Sequence, residues 1–120
     1  MKKAIVTGGY GFIGSAIVKN LLRKNFIVLN IDKLTYASSI GNINKLEKNY
    51  KNLRFLKKDI SDPSLEKKII NFNPDFLINA AAETHVDNSI KSPNEFINTN
   101  ILGTFNLIKI ANKIKNKKFK

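Results

Sequence analysis

The sequence has 120 residues and no cysteine, and 42% of its residues are hydrophobic. This length allows one domain with a modest core, and the lack of cysteine excludes disulfides and thiolate metal sites. No apolar run approaches the ~20 residues of a membrane helix, and the apolar stretch after Lys3 is too short for a signal peptide. We therefore expect a cytoplasmic protein without a membrane partner.

The chain is strongly basic, with a net charge of +12 from 21 Lys and Arg residues against 9 Asp and Glu residues. A basic surface is typical of proteins that bind nucleic acid. Here the lysines are spread widely, and no stripe of basic residues interleaved with aromatics is present. The densest basic cluster, residues 113–120, is more typical of a solvated helix end. We therefore do not expect nucleic acid as a partner.

Apolar runs separated by Gly, Pro and polar residues predict alternating strands and helices. The predicted strands are Lys3–Thr7, Phe26–Ile31, Leu53–Leu56 and Phe76–Ile78. The predicted helices are Ile13–Lys24, a short one over 42–48, one from Asp62-Pro63 to Phe72, and one from Ser92-Pro93 to Ala111. The last helix has one apolar side, formed by Phe96, Ile97, Ile101, Phe105, Ile108 and Ala111. A long polar connection, Ala80–Lys91, precedes it.

This alternation predicts an α/β fold with a parallel sheet covered by helices. Right-handed crossovers favour the strand order 3-2-1-4, which is the first half of a doubly wound Rossmann fold. We expect residues 1–120 to form one incomplete dinucleotide-binding domain. The chain stops where strand 5 would begin, so we expect a fragment of a longer protein.

A glycine cluster, VTGGYGFIGS, joins the first predicted strand to the first predicted helix. The glycines fit two dinucleotide-binding spacings, one through Gly9, Gly11 and Gly14 and a wider one through Gly8, Gly11 and Gly14. The first glycine permits a tight turn, the middle one lets the backbone approach a pyrophosphate, and the last packs helix against strand. The alternative is a strand-to-helix turn without a ligand.

Asp32 ends the second predicted strand, eighteen residues after Gly14. A carboxylate at this position accepts hydrogen bonds from the hydroxyls of the adenosine ribose and repels a 2′-phosphate, which favours NAD over NADP. The adjacent Lys33 weakens that preference. The alternative is a helix cap or a solvated acid.

Other polar residues follow the third and fourth strands. Asp59 could accept a hydrogen bond from adenine while Ile60 covers the ring, although an Asp after a strand is often a turn residue. The small residues after Asn79 leave room for a ligand, or pack under a helix. His85 is the only histidine, and it could be a base or a structural hydrogen-bonding group. One histidine among scattered acids makes a poor metal site.

Five segments resemble those of one enzyme family. They are TGGYGFIGS at 7–15, DKLTYA at 32–37, Asp59-Ile60, AAETHVDNSI at 81–90, and Pro93 with FINTNILGT at 96–104. Through these segments the chain resembles the extended short-chain dehydrogenases/reductases and, within them, the dTDP-glucose 4,6-dehydratases. The similarity spans essentially all 120 residues. The glycine motif is shared with sugar-nucleotide epimerases, whereas DKLTYA and AAETHVDNSI are more specific to the dehydratases.

The resemblance implies an NAD site. In it, the backbone of Phe12 and Ile13 would meet the pyrophosphate, and Asp59 and Ile60 would hold adenine. The residues around the adenosine ribose would be Asp32, Lys33, Leu34 and Thr35. The nicotinamide half would be lined by Ala80, Ala81, Ala82, Glu83 and Thr84, with Thr99 reaching the cofactor from the last helix. A nucleotide sugar, dTDP-glucose, would meet Thr84, His85 and Asp87. Two departures from the family are Tyr10, where a small residue is commoner, and Thr84, where serine is common.

The implied reaction is that of a lyase. Hydride passes from C4 of the glucosyl unit to NAD, water leaves across C5–C6, and the hydride returns to C6. The family performs it with a Tyr-x-x-x-Lys pair and an Asp-Glu pair that lie after strand 5. Here Tyr10, Tyr36 and Tyr50 are followed at the fourth place by Gly14, Ile40 and Arg54, so the chain has no Tyr-x-x-x-Lys pair.

We therefore expect the cofactor-binding part of a dehydratase that is a homodimer when complete. This part would contain no catalytic residue and have no turnover of its own. The alternatives are part of an NAD-dependent sugar-nucleotide epimerase, or a non-catalytic module that binds nucleotides or nucleic acid.

Overall fold

A computed structural model of the chain describes residues 1–34, 45, 47–81 and 93–120. Its strands are β1 (Lys3–Thr7), β2 (Ile27–Asp32), β3 (Leu53–Lys57) and β4 (Phe76–Asn79). Its helices are α1 (Phe12–Arg23), α2 (Leu65–Phe72), α3 (Pro93–Ile97) and α4 (Thr104–Ala111), and a π-helical segment, Asn98–Gly103, joins α3 to α4. Every strand agrees with its predicted bounds to within one residue. Residues 45 and 47–49 are also helical, and the rest of the short helix predicted over 42–48 lies outside the described residues.

The four strands form one parallel sheet in the order β3-β2-β1-β4. This confirms the predicted α/β class and strand order. Thr7 at the end of β1 lies opposite Ile31 of β2 and Asn79 of β4. Because the strands are parallel, their carboxyl ends meet at one edge of the sheet, where ligands bind in open α/β folds.

The sheet buries a hydrophobic core on each face. Successive residues of a strand point to opposite faces, so Ile5 of β1 joins one core and Val6 joins the other. The first core lies under α2 and α4 and contains Ile5, Leu29, Ile31, Ile60, Leu65, Ile69, Phe72, Leu107 and Ile110. The second lies under α1 and contains Val6, Tyr10, Val18, Leu22 and Val28. The two cores hold the strand ends at a fixed separation.

The face of the last helical region that packs against the sheet is not the apolar side predicted from the sequence. Its buried residues are Thr99, Gly103, Leu107 and Ile110. On the predicted apolar side, Ile97, Ile101, Phe105 and Ile108 are 48–61% exposed. The π-helical segment turns by more residues per turn than an α-helix, and Gly103 brings this helix onto Ile60. Apolar periodicity therefore predicted the helix but not the face that packs. No helix in the described part of the chain is long and apolar enough to cross a membrane.

The opposite edge of the sheet is tied together by Asp75, which precedes β4. Its carboxylate accepts hydrogen bonds from the Lys3 main-chain N–H at 2.9 Å and from the Asn116 amide at 2.9 Å. These two bonds, in that order of importance, lower the pKa of Asp75 below its ordinary value of 3.8. The main chain of Lys120 pairs with the same strand, accepting from Leu77 N at 3.0 Å and donating to Asp75 O at 2.9 Å.

Neighbouring isoleucines on α2 give a test of the core under this helix. Ile69 is fully buried, whereas Ile70 is 40% exposed. Ile69→Ala should lower the free energy of unfolding by about 2–5 kcal/mol, because it leaves a cavity. Ile70→Ala should cost about 1 kcal/mol or less. Urea denaturation of both variants measures the difference, and equal losses would show that α2 packs by another face.

Asp75 predicts part of the acid sensitivity of the fold. Its pKa is lowered in the folded state, so its carboxylate contributes stability above the unfolded value of 3.8, and that contribution is lost as the pH falls through the folded value. Asp75→Asn keeps an acceptor oxygen but cannot titrate. The drop in urea midpoint between about pH 6 and about pH 3 should therefore be smaller in Asp75→Asn than in the wild type. The exposed Glu95→Gln variant is the control and should keep the wild-type drop.

Candidate cofactor site

The turn after β1 brings the backbone of Gly8 against the end of β4. Gly8 has a φ of +67°, which disfavours any residue with a side chain. A Cβ at this position would lie 2.7 Å from Ala81 Cα. The Gly8 N–H donates to Ile31 O at 2.8 Å, and the Gly8 carbonyl accepts from Gly11 N at 3.1 Å. Gly8 therefore joins the ends of β1, β2 and β4 in one tight turn.

The other two predicted glycines differ in what surrounds them. A Cβ on Gly14 would collide with the Gly8 carbonyl oxygen, so the first turn of α1 packs directly on the turn. Among the described residues, a Cβ on Gly11 would meet the Gly8 oxygen alone, in a tight contact at 3.3 Å. Gly11 is thus less crowded than Gly8 and Gly14, as expected where a ligand approaches the backbone.

The first turn of α1 presents backbone donors on the same side as Gly11. Phe12 and Ile13 are 92% and 67% exposed, so their side chains point away from the core. The first hydrogen bond of the helix is from Ser15 N to Gly11 O at 2.9 Å. The N–H groups of the preceding residues have no acceptor within the helix, and no acid lies in this turn. This arrangement favours an anion at the N-terminus of α1.

Asp32 lies at the end of β2 and is 7% exposed. Its Oδ2 accepts from Tyr10 N at 3.0 Å, and its Oδ1 accepts from Leu34 N at 2.7 Å. These backbone donors hold the carboxylate beside the glycine turn. Leu34 has a φ of 59°, which is uncommon for a residue with a side chain. An ionised carboxylate oxygen has more than one acceptor position, so one backbone bond to each oxygen does not by itself prevent a hydrogen bond from a ligand hydroxyl.

Three predicted residues from separate elements meet beside Asp32. The Lys33 ammonium donates to Thr99 Oγ1 at 3.3 Å and lies 3.7 Å from Asp59 Oδ2. The other oxygen of Asp59 accepts from both the backbone and the hydroxyl of Ser61 at 2.9 Å. Asp59 is therefore a turn residue, as one of the two interpretations held, and it also faces the candidate site.

Ile60 is only 3% exposed, because it packs against the backbone of Gly103. Its carbonyl accepts from the Asn106 amide at 2.8 Å. This packing leaves little of its side chain for an adenine ring, and the adenine contact of Ile60 stays a prediction.

The end of β4 is fastened to β1 by a buried hydroxyl. Thr7 Oγ1 donates to Asn79 Oδ1 at 2.6 Å and accepts from Ala81 N at 3.3 Å. The Ala80 N–H donates to Thr7 O at 3.1 Å. The backbone of Ala80 and Ala81 thus lies directly beside Gly8, and their contact with the nicotinamide half stays a prediction. The remaining predicted residues, Thr35, Ala82, Glu83, Thr84, His85 and Asp87, lie outside the described residues.

Three residues that shape this site were missed at the level of sequence. They are Thr7, Asn30 and Tyr10, all fully buried. Asn30 Oδ1 accepts a hydrogen bond from Gly9 N at 2.8 Å, which holds the turn against β2. Thr7 and Asn30 are polar residues inside the apolar runs KAIVT and FIVLNID. A polar residue within a buried strand is the signal that could have found them, because burying it without a partner is costly.

The difference between Gly8 and Gly11 can be tested by alanine substitution. Gly8→Ala should lower the free energy of unfolding by about 2 kcal/mol or more, from the left-handed φ and the clash with Ala81. Gly11→Ala should cost about 1 kcal/mol or less, because Gly11 is extended and a Cβ there would need only a small shift of the Gly8 oxygen, 3.3 Å away. Thermal or urea unfolding measures both, and a stable Gly8→Ala variant would contradict this geometry of the turn.

Comparisons with known proteins identify the family of this chain. A family model described as GDP-mannose 4,6 dehydratase matches residues 5–120. A probable dTDP-glucose 4,6-dehydratase of Sinorhizobium fredii is 44% identical over 110 residues, which cover 91% of this chain and 31% of that protein. The chain thus spans about a third of the length of the curated relatives it matches.

Solved structures of dehydratases and epimerases share the fold. A dTDP-glucose 4,6-dehydratase from Streptomyces venezuelae, with NAD bound, is 35% identical with a TM-score of 0.82, covering 93% of this chain and 36% of that one. A UDP-glucose 4-epimerase from Thermotoga maritima, with UDP-glucose, is 30% identical with a TM-score of 0.83, covering 98% and 36%. With the family match over residues 5–120, these findings show that the chain belongs to the GDP-mannose 4,6 dehydratase family of nucleotide-sugar enzymes.

Proposed function

We propose that this chain is the NAD-binding part of a nucleotide-sugar 4,6-dehydratase. The observation that carries the proposal is the Asp32 carboxylate, held by Tyr10 N at 3.0 Å beside the glycine turn and the N-terminus of α1. This places an acceptor for ribose hydroxyls next to donors for a pyrophosphate. A dinucleotide needs both in this order along its length.

The glycine turn and α1 would hold the pyrophosphate. Gly11 carries no side chain on the ligand side, and Gly14 packs against Gly8, so the backbone of Phe12 and Ile13 is fixed and accessible. Binding of a pyrophosphate through the backbone does not need the side chain of Phe12 or Ile13, which agrees with their high exposure. The absence of an acid in the first turn of α1 removes a source of repulsion.

Asp32 would select NAD over NADP. A 2′-phosphate on the ribose would meet a carboxylate that two backbone N–H groups hold in place. Lys33 follows Asp32 and could in principle neutralise that phosphate. Its ammonium is instead within reach of Thr99 and Asp59, at 3.3 and 3.7 Å, and moving it would break these contacts.

The two ends of the cofactor would lie at neighbouring strand ends. Adenine would lie beside Asp59, whose Oδ2 faces the site, with Ile60 behind it. The nicotinamide half would lie beside Ala80 and Ala81, where small side chains leave the turn accessible. The resemblance adds Thr99 to this set, together with Thr35, Ala82, Glu83 and Thr84 from outside the described residues.

The activity belongs to the whole protein. Bound NAD supplies a hydride acceptor and donor, and this chain's residues would bind and orient it. We propose dTDP-glucose as the substrate, met by Thr84, His85 and Asp87, and a homodimer as the complete enzyme. Because the chain spans about a third of its relatives, the acid and base groups of the reaction are assigned to none of its residues.

An epimerase is the second candidate, because solved UDP-glucose 4-epimerases share the fold at TM-scores of 0.83 and 0.84. The dehydratase is favoured by curated relatives at 41–45% identity that are described as dTDP-glucose 4,6-dehydratases, one of them as probable. Incubating the whole protein with dTDP-glucose or UDP-glucose separates the two. The dehydratase gives a 4-keto-6-deoxy product, and the epimerase gives a C4 epimer.

Asp32→Ala tests the cofactor site directly. The variant should bind NAD at least about tenfold more weakly, because it loses charge-assisted hydrogen bonds to the ribose. It should also discriminate less against NADP. Isothermal titration calorimetry at low and moderate salt measures both effects, with the exposed Glu95→Ala as the matched acid-to-alanine control.

The salt series separates this site from a nucleic-acid-binding module. NAD binding that depends on Asp32 and varies little with salt supports the proposal. Steeply salt-dependent binding of RNA or DNA, with no affinity for NAD, would refute it in favour of the basic module.

A further inference from the structure

Tyr10 is the one residue of the glycine turn whose side chain enters the core. It is fully buried, and its ring lies 5.1 Å from that of Phe55 in β3, centroid to centroid, at an angle of 49°. Its neighbours in this core are Val6, Val18, Leu22 and Val28. The turn is thus anchored to the sheet by an aromatic side chain as well as by its backbone.

The hydroxyl at the end of this ring has a specific partner. It donates to Glu47 Oε1 at 3.0 Å, and Glu47 lies in the helical residues 47–49 before β3. Burial and, next, the hydrogen bond to Glu47 raise the pKa of Tyr10 above its ordinary value, while the nearby Asn30 amide acts in the opposite direction. The hydroxyl therefore remains a protonated donor at neutral pH.

The backbone N–H of Tyr10 also has a specific partner. Its N–H donates to Asp32 Oδ2 at 3.0 Å, and the preceding Gly9 N–H donates to Asn30 Oδ1 at 2.8 Å. Asn30 is fully buried, and its Nδ2 has no hydrogen-bond partner among the described residues. A movement of Tyr10 would therefore shift the donor that orients the Asp32 carboxylate and leave buried polar groups less well satisfied.

We propose that Tyr10 is a positioning residue for the adenosine ribose, acting through Asp32: its hydroxyl bond to Glu47 fixes the backbone N–H that orients the carboxylate. This rests on the proposed function, since it assigns Asp32 to the ribose. A residue with a small side chain could make the backbone bond to Asp32, but it could not anchor that bond to the core and to Glu47.

The test compares variants that remove the hydroxyl bond from either end. Tyr10→Phe keeps the ring, and Glu47→Ala removes the acceptor from an exposed position. Glu47→Gln keeps an acceptor oxygen and is the conservative rescue. Tyr50→Phe is the matched control, because Tyr50 packs at the edge of the same core. We expect Tyr10→Phe and Glu47→Ala to weaken NAD binding about five- to tenfold, with Glu47→Gln and Tyr50→Phe near wild type.

Two nucleotides separate positioning from a merely structural role. AMP offers both ribose hydroxyls to Asp32, whereas 2′-deoxy-AMP lacks one of them. If Tyr10 positions the carboxylate, Tyr10→Phe should weaken AMP binding by more than it weakens 2′-deoxy-AMP binding, at a temperature where both proteins are folded. Equal losses for the two nucleotides, or a loss of stability without a loss of affinity, would overturn the proposal.

A measurement without ligand keeps this inference separate from the cofactor assignment. Amide hydrogen exchange of Gly9 and Tyr10 should be faster in Tyr10→Phe than in Tyr50→Phe, relative to the amides of β1. Wild-type protein that fails to bind NAD would refute the proposed function. Unchanged exchange at Gly9 and Tyr10 would overturn the positioning role whether or not NAD binds.

Discussion

The turn after β1 passes so close to the end of β4 that no side chain fits between them. The distance of 2.7 Å from a Cβ on Gly8 to Ala81 Cα is shorter than the contacts that Cβ atoms make in proteins. Pairing of β1 with β4 imposes this approach, because Thr7 and Asn79 lie opposite each other. With Gly8 in its left-handed conformation, its carbonyl accepts a hydrogen bond from the Gly11 N–H, and α1 begins at the next residue. The position of Gly11 at the start of α1 is thus a consequence of strand pairing.

Buried polar side chains complete the strand ends. Thr7, Asn30 and Asp32 lie in or next to strands that are otherwise apolar, and each accepts a hydrogen bond from the backbone of a turn. Hydrophobic residues at these positions would bury more apolar surface, yet they could not orient the turns. The cost of burying these polar groups is offset by their hydrogen bonds. The result is a rigid rim around the space in which the cofactor is proposed to bind.

Sequence reasoning was successful where the signal is local. The strand bounds, the strand order and the glycine turn follow from short apolar runs, from the handedness of crossovers and from glycine spacing. The packing of the last helix could not be predicted in this way, because a π-helical segment and the contact of Gly103 with Ile60 decide which face is buried. The contacts of Lys33 with Asp59 and Thr99 join residues far apart in the chain, and no periodicity indicates them. Tyr10 was noted as a departure from the family, but its burial depends on the space beside Phe55.

On the exposed side of the last helix, the contribution of a side chain to the stability of the fold differs from its contribution to association with another surface. Ile97, Ile101, Phe105 and Ile108 keep about half of their surface in water within this chain, so they add less to its free energy of unfolding than the buried core residues do. They add much to the free energy gained by any surface that covers them. Polar substitutions there would cost the fold of this chain less than substitutions in its cores and would act more strongly on association. Thr99 and Gly103 lie in the part of this helical region that packs beside the cofactor site, and both are buried. Substitutions there would change the stability of the fold before they change association.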